Sequence, residues 1–272
     1  MRLLVILLLA TVAVAQTPAP AAPQASASAA TQDPSAKKAR DLVDKMIAAM
    51  GGPAFLKYET RTEEGRTYGF YKGESKGVGN LYWRFWKWPD KDRTEYTKKR
   101  DIAIIHNGEQ GYELTYKGVA FEEQETLEGY QRRRPYTVER VTREWINDPS
   151  VIFLYEGTAV ADQKLAHQVS LINRKNQQVT LFIDANSNLL VKKSFTWRDP
   201  KYKDKNEEAE TFGNFRMIQG VQTPLVYART LNGELTSQRF MTKVTYNAPL
   251  SESLFDVKVT YTPYGRDRKK QD

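Results

Sequence analysis

Between residues 177 and 246 the chain runs strand, aspartate-centred turn, strand, strand, Asn-Gly turn, strand, almost without a break. Parallel strands need a crossover of a dozen or more residues between them, and no segment here is long enough to be one, so this stretch is an antiparallel meander. Upstream, β texture continues, with strands predicted at 60–71, 78–88, 102–106, 111–116, 151–155 and 165–173, ahead of 179–184, 189–197, 208–217, 225–231 and 235–246. Asn107-Gly108 and Asn232-Gly233 read as hairpin turns, because these residues tolerate the positive φ that tight turns demand. The fold class is therefore mainly β (α+β), with roughly 11 strands joined by short turns.

Two segments break this texture. Ala39, Leu42, Val43, Met46, Ile47 and Met50 fall at helical spacing, with Gly51 as the stop and Ser35 or Asp33 as the cap. The stripe they form must lie against the sheet. A second, shorter helix is predicted over 137–147, where Val138, Val141 and Trp145 share a face and Pro149 blocks continuation.

Residues 1–15 have the form of a cleaved export signal: Met1 and Arg2, an apolar run to Val14, and Ala13-Val14-Ala15 as the cleavage site. The run is short of the ~20 apolar residues that cross a bilayer. Residues 16–35 are rich in Ala, Pro, Ser and Gln and read as a disordered leader. Residues 36–272 are expected to form one domain with a basic tail at Arg266, Arg268, Lys269 and Lys270. With no cysteine, neither a disulfide, a thiolate metal site nor a cysteine-linked lipid anchor can form. The net charge of +8 favours an anionic membrane face or an acidic partner, and export argues against nucleic acid.

Chemistry-bearing patterns are scarce. The two histidines, His106 and His167, sit in predicted strands with no partner close in sequence. No metal-binding, nucleophile-elbow, phosphate-loop or dinucleotide pattern occurs, so no catalytic residue, metal or cofactor is assigned. Glu122, Glu123, Glu125 and Glu128 cluster in what reads as a solvated loop. Binding features are clearer. A strand through 81–88 puts Leu81, Trp83 and Phe85 on one face and Tyr82, Trp86 and Trp88 on the other, so both faces are covered or one lines a cavity. Arg84 and Lys87, interleaved with the rings, can stack on them or meet an anionic head group. Leu42 and Met46 of the first helix are candidates for the same apolar site. Arg132, Arg133 and Arg134, just before the inserted helix, form an anion or lid cluster.

Gly79-Asn80-Leu81-Tyr82, then Trp88-Pro89-Asp90-Lys91-Asp92-Arg93-Thr94-Glu95 and Ile105-His106-Asn107-Gly108, resemble the early hairpins of the periplasmic lipoprotein-carrier superfamily of LolA and LolB type. Leu181-Phe182-Ile183-Asp184, Asn188-Leu189-Leu190-Val191, Asn214-Phe215, Gly220-Val221, Thr223-Pro224, Val244-Thr245-Tyr246-Asn247 and Leu254-Phe255 are similar to the later strands of outer-membrane lipoprotein-sorting proteins. The resemblance implies a curved antiparallel sheet forming an incomplete β-barrel, whose apolar concave face is covered by the helices and accepts acyl chains. It also places Arg93 where the family often has a basic residue tied to lid opening. The inserted helix and its arginines have no family counterpart.

The expected function is that of a monomeric periplasmic carrier. It would bind the acyl chains of a lipoprotein or lipid for transfer between envelope membranes, with transient membrane-surface contact. A membrane transporter or an outer-membrane acceptor would be its partner. The alternative is a non-enzymatic scaffold on the same fold that binds protein, as a transporter-associated subunit would.

Overall fold

A computed structural model describes residues 33–263. The expected signal, the leader up to residue 32 and the basic tail lie outside the described residues. Helix α1 spans Pro34–Met50, starting within the stretch expected to be leader. Asp33 caps it, accepting from Ser35 N at 3.0 Å, and proline occupies its first turn, where a missing N–H costs nothing. Gly51 ends it at φ 125°, and a Cβ there would meet Gly220 O at 2.2 Å, so the helix closes tightly onto the sheet. A short helix α2, Pro53–Lys57, follows.

The sheet has fourteen strands among the described residues, and every pairing in it is antiparallel. The first half comprises β1 Thr60–Tyr71, β2 Glu74–Ser75, β3 Asn80–Lys87, β4 Lys91–Tyr96, β5 Ile102–Asn107, β6 Gln110–Thr115 and β7 Gly118–Phe121. The second half comprises β8 Ile152–Ala161, β9 Lys164–Ile172, β10 Gln178–Asp184, β11 Leu190–Arg198, β12 Lys205–Ile218, β13 Val221–Leu231 and β14 Glu234–Tyr246. The spatial order is β7-β6-β5-β4-β3-β1-β14-β13-β12-β11-β10-β9-β8, with β2 hanging on β1. No pairing joins β7 to β8 among the described residues, so this is an open, curved half-barrel.

Three strands, β2, β4 and β7, were not expected from the sequence. β4 (Lys-Asp-Arg-Thr-Glu-Tyr) lacks apolar alternation, because its inward position is held by the charge of Asp92 instead of an apolar side chain. The helical insertion also begins earlier than predicted. It comprises α3 Gln124–Arg133, a 3-10 turn at Arg134–Tyr136, α4 Val138–Arg143 and a second 3-10 turn at Trp145–Asn147. The carboxylates expected in a solvated loop divide accordingly: Glu125 and Glu128 lie on the exposed face of α3, whereas Glu122 is buried. At the Asn232-Gly233 turn both residues have positive φ, at 52° and 83°. At the other turn only Gly108 does, and Asn107 ends β5.

The core lies between the second half of the sheet and α1. Leu42, Val43, Met46, Ile47 and Met50 pack on Val169, Leu171, Val179, Leu181, Leu190 and Val221. On the convex side, Ala103, Ile105, Tyr112 and Val119 are covered by the C-terminal segment through Val257. There Thr260 N donates to Val119 O at 2.8 Å along the edge of β7. This occupies backbone groups that an edge strand would otherwise present to another chain.

Antiparallel order sends successive turns to opposite rims. One rim holds turns 72–79, 97–101, 116–117, 173–177, 199–204 and 232–233, and the other holds 88–90, 108–109, 162–163, 185–189 and 219–220. Their charges differ sharply. The first carries exposed Lys72, Lys76, Lys98, Lys99, Arg100, Lys117, Arg174, Lys175, Lys201 and Lys203 against Glu74, Asp101, Asp199 and Asp204; the second carries Asp90, Glu109 and Asp162 and neither lysine nor arginine.

Candidate functional site

Strand alternation places Arg61 and Glu63 of β1 on the concave face. Register then sets Trp86 and Arg84 of β3 beside them, followed by Asp92 and Thr94 of β4 and by His106 and Ile104 of β5. The charges bond across the strands. Arg84 grips Asp92 through two nitrogens, with Nε–Oδ1 at 3.0 Å and Nη2–Oδ2 at 2.6 Å, and reaches Glu63 at 3.2 Å. Arg61 sits 2.8 Å from Glu63 and 2.7 Å from Glu139 of α4, which also accepts from Tyr58 OH at 2.8 Å. Burial works against the ionised form of Glu63, but Arg84 and then Arg61 outweigh it and hold the carboxyl below its ordinary range. Asp92 is held low in the same way by Arg84. The network thus ties three strands to the helical cover, and losing one partner would strand a buried charge.

A second set of charges lines the other half of the sheet. Lys193 of β11, which is 2 % exposed, bonds Glu210 of β12 at 2.6 Å. Arg229 of β13 stands 3.7 Å from the same carboxylate and donates to Tyr227 OH at 3.2 Å. Arg239 of β14 lies between rings, its guanidinium carbon 5.6 Å from the Tyr82 centroid and 5.7 Å from that of Tyr227.

Helix α3 bridges the concavity. At one side Tyr130 stacks on His106 of β5, centroids 3.5 Å apart and planes 1° from parallel, while His106 Nε2 shares a 2.9 Å hydrogen bond with Glu122. At the other, Arg132 bonds Glu208 of β12 at 3.2 Å and lies over the Trp197 ring at 3.6 Å; Arg133 is 3.6 Å from Glu208. Just beyond the helix Tyr136 stacks on Phe195 of β11 at 4.1 Å.

Between this bridge and the sheet lies a cavity of about 380 Å³. Met50, Phe55, Trp86, Leu190, Phe212, Val221 and Val244 form an apolar part of its wall. The remainder is charged: among the described residues, seven arginines (61, 84, 133, 134, 140, 229 and 239) and five carboxylates (Glu63, Asp92, Glu122, Glu139 and Glu210) line it. The concavity expected to be apolar is therefore mixed. The physical reason is that salt-bridge partners on adjacent strands neutralise one another, which lets a sheet turn charged residues inward.

The candidate residues separate by face. Trp86 lines the cavity, and Tyr82, 1 % exposed, faces the same side. Trp88 packs at the edge of the core, beneath the guanidinium of Arg143 at 4.7 Å. Leu81, Trp83 and Phe85 alternate to the convex face, where Arg100 covers Trp83 at 4.6 Å. Leu42 and Met46 are spent in the packing of α1. Arg93 points outward, bonded to Glu95 at 2.7 Å and to Leu254 O at 3.1 Å in the C-terminal segment. Of the arginine cluster, Arg133 and Arg134 line the cavity, and Arg134 ties the helical cover to Asp90 and Glu109. Arg84 meets carboxylates inside, and Lys87 bonds Glu252 outside. Sequence reasoning missed Arg61, Glu63, Asp92, Glu139, Lys193, Glu210, Arg229 and Arg239. The available signal was the spacing of two between opposite charges in Arg61-Thr62-Glu63, on a strand adjoining an aromatic one. No group of three or more His, Asp or Glu side chains among the described residues is placed to hold a metal ion.

The half-barrel is similar to solved structures. A DUF1329 family protein from Desulfovibrio piger superposes with a TM-score of 0.54 at 12% identity, covering 82% of this chain and 97% of that one. A domain described as an outer membrane lipoprotein-sorting protein, from Vibrio parahaemolyticus, gives 0.52 at 13% identity, covering 81% and 97%. No protein-family model matches the sequence, and no curated protein does. The chain thus shares its fold with these two structures, an open antiparallel half-barrel of the kind that the resemblance of its hairpins implied.

Proposed function

We propose that the protein is a non-enzymatic carrier of the bacterial envelope that holds the apolar part of a lipid, or of a lipoprotein's acyl chain, in the concavity of the half-barrel. The observation that carries this reading is the cavity between open sheet and helical cover, with its apolar wall around Trp86 and Phe212. Burial of each CH₂ stabilises by ~0.8 kcal/mol, so even one partly inserted chain gives useful affinity without covalent chemistry. The LolA-like fold supports the same reading. The export signal would deliver a single half-barrel domain to the periplasm as a monomer, to move its cargo between membranes and hand it to an outer-membrane acceptor or transporter. The basic rim supports transient contact with a membrane surface, since each lysine or arginine near an anionic leaflet contributes about 1 kcal/mol.

Native mass spectrometry of the protein purified from the periplasm, followed by solvent extraction, tests the reading. A bound lipid or acylated polypeptide is expected. An apo mass that persists after incubation with lipid overturns the carrier and leaves a protein-binding scaffold. In the folded protein, Trp86→Ala should weaken binding of a fluorescent acyl probe, while Trp83→Ala, on the convex face, should leave it unchanged.

A further inference from the structure

Charge balance along the concave face is uneven. Near β11–β14 and the C-terminal end of α3, five cations (Arg132, Arg133, Lys193, Arg229 and Arg239) face Glu208 and Glu210, and across the concavity Glu63 and Asp92, each already paired with Arg84, also feel the charge of Arg239. Glu208 and Glu210 are already taken. Lys193 bonds Glu210 at 2.6 Å and Arg132 bonds Glu208 at 3.2 Å, which leaves Arg229 at 3.7 Å and Arg133 at 3.6 Å from those same groups. Arg239 makes no ion pair or hydrogen bond among the described residues; its guanidinium rests between the Tyr82 and Tyr227 rings. Arg229 Nε is buried without a hydrogen-bond partner.

We propose that Arg133, Arg229 and Arg239, gathered around Tyr227, form a binding site for a phosphate group, the head of the amphiphile whose chain lies against Trp86 and Phe212. This deepens the carrier reading and rests on it. Guanidinium forks match phosphate oxygens in geometry and are the usual means of holding such a group away from water. Burial, reinforced by the neighbouring Arg229, pulls the Arg133 guanidinium below its ordinary value, so Glu208 at 3.6 Å offsets only part of the cost of burying this charge. Burial pushes the Tyr227 phenol up to about 12, so it stays protonated between the two flanking guanidiniums and adds no competing negative charge. An anion entering here would satisfy the free Arg229 Nε and give Arg239, which feels Glu63 and Asp92 only at longer range, a direct hydrogen-bonding partner.

The test is titration calorimetry with three probes at fixed ionic strength: lysophosphatidic acid, a monoacylglycerol of the same chain, and inorganic phosphate. Arg239→Gln is the variant, because removing a side chain with no ion pair leaves every internal pairing intact. The wild type should bind lysophosphatidic acid more tightly than the neutral lipid, and Arg239→Gln should weaken the former by about tenfold or more while leaving the latter unchanged. Equal affinity for the two lipids, with no effect of Arg239→Gln, overturns the phosphate site and leaves the carrier standing. Binding of inorganic phosphate that depends on Arg239, with neither lipid bound, upholds the site and overturns the carrier. An equal loss for both lipids in the variant shows a packing effect and also overturns the phosphate site.

Discussion

The pair Lys193–Glu210 offers the sharpest test of how the concave face is held. Glu210 is buried, which opposes its charge, yet Lys193 and then Arg229 bring its carboxyl from 4.5 down to about 2. At ~1.4 kcal/mol per pH unit that difference corresponds to about 3 kcal/mol of folding stability. Replacing Lys193 by Met keeps length and volume but leaves Glu210 with Arg229, at 3.7 Å, and the Tyr227 hydroxyl. Breaking a buried pair costs about 3–5 kcal/mol, and Arg229 offsets part of it, so a loss of about 3 kcal/mol is expected in urea unfolding at pH 7. The sign of the pH dependence follows from the depressed carboxyl. Its contribution is complete above the ordinary value of 4.5 and disappears as pH falls through about 2. The gap between wild type and Lys193→Met should therefore narrow on acidification across that window. Adding Glu210→Gln should restore at least half of the loss, because a neutral amide needs no counterion. A loss below about 1 kcal/mol at pH 7, typical of an exposed pair, or a gap that stays constant on acidification, would refute the reasoning.

Other positions give independent checks. A Cβ on Gly65, at the bulge between β1 and β14, would lie 2.1 Å from the backbone Phe240 O, so Gly65→Ala should cost about 1–3 kcal/mol or more in chemical unfolding. Gly213→Ala is its control: the nearest atom would be Val226 Cβ at 4.0 Å, and stability should change by no more than about 0.5 kcal/mol. Asp33→Ala removes the cap of α1 and should cost about 1 kcal/mol, seen as a fall of roughly 2–4 °C in Tm. Tyr130→Leu removes the stack that seats α3 on β5 and should speed hydrogen exchange in 124–133 while leaving β12–β14 unaffected.

The parts of the fold legible in the sequence were those built on apolar period. Leu42, Val43, Met46 and Ile47 marked α1, and 177–246 gave its strands in order, because the hydrophobic effect acts on alternation that can be read locally. β4 and α3 escaped the same rule. In β4 the inward side chain is Asp92, held by Arg84 from the neighbouring strand, and in α3 the contacts that matter are Tyr130 with His106 and Arg132 with Glu208, each far apart in sequence. The site was illegible for a related reason. A charged residue on a strand is normally a sign of solvent, and only cross-strand register shows that Arg61, Glu63, Arg84 and Asp92 satisfy one another inside. Trp86 was found because an aromatic residue on either face of a strand signals burial whatever the partner.

A wall that carries fixed charges cannot dry out. Even paired guanidiniums and carboxylates retain lone pairs and N–H groups that attract water, so an empty concavity of this composition stays hydrated and does not collapse on itself as an all-apolar slot would. For the proposed carrier two consequences follow. An entering chain would displace water from the patch around Trp86 and Phe212 while the solvent along the arginines remained, and that solvent would be in place to re-wet the vacated surface when the chain left. Retention and escape would then be matched within one cavity, and the lifetime of a loaded state would be governed by how far water advances from the charged end toward the apolar one.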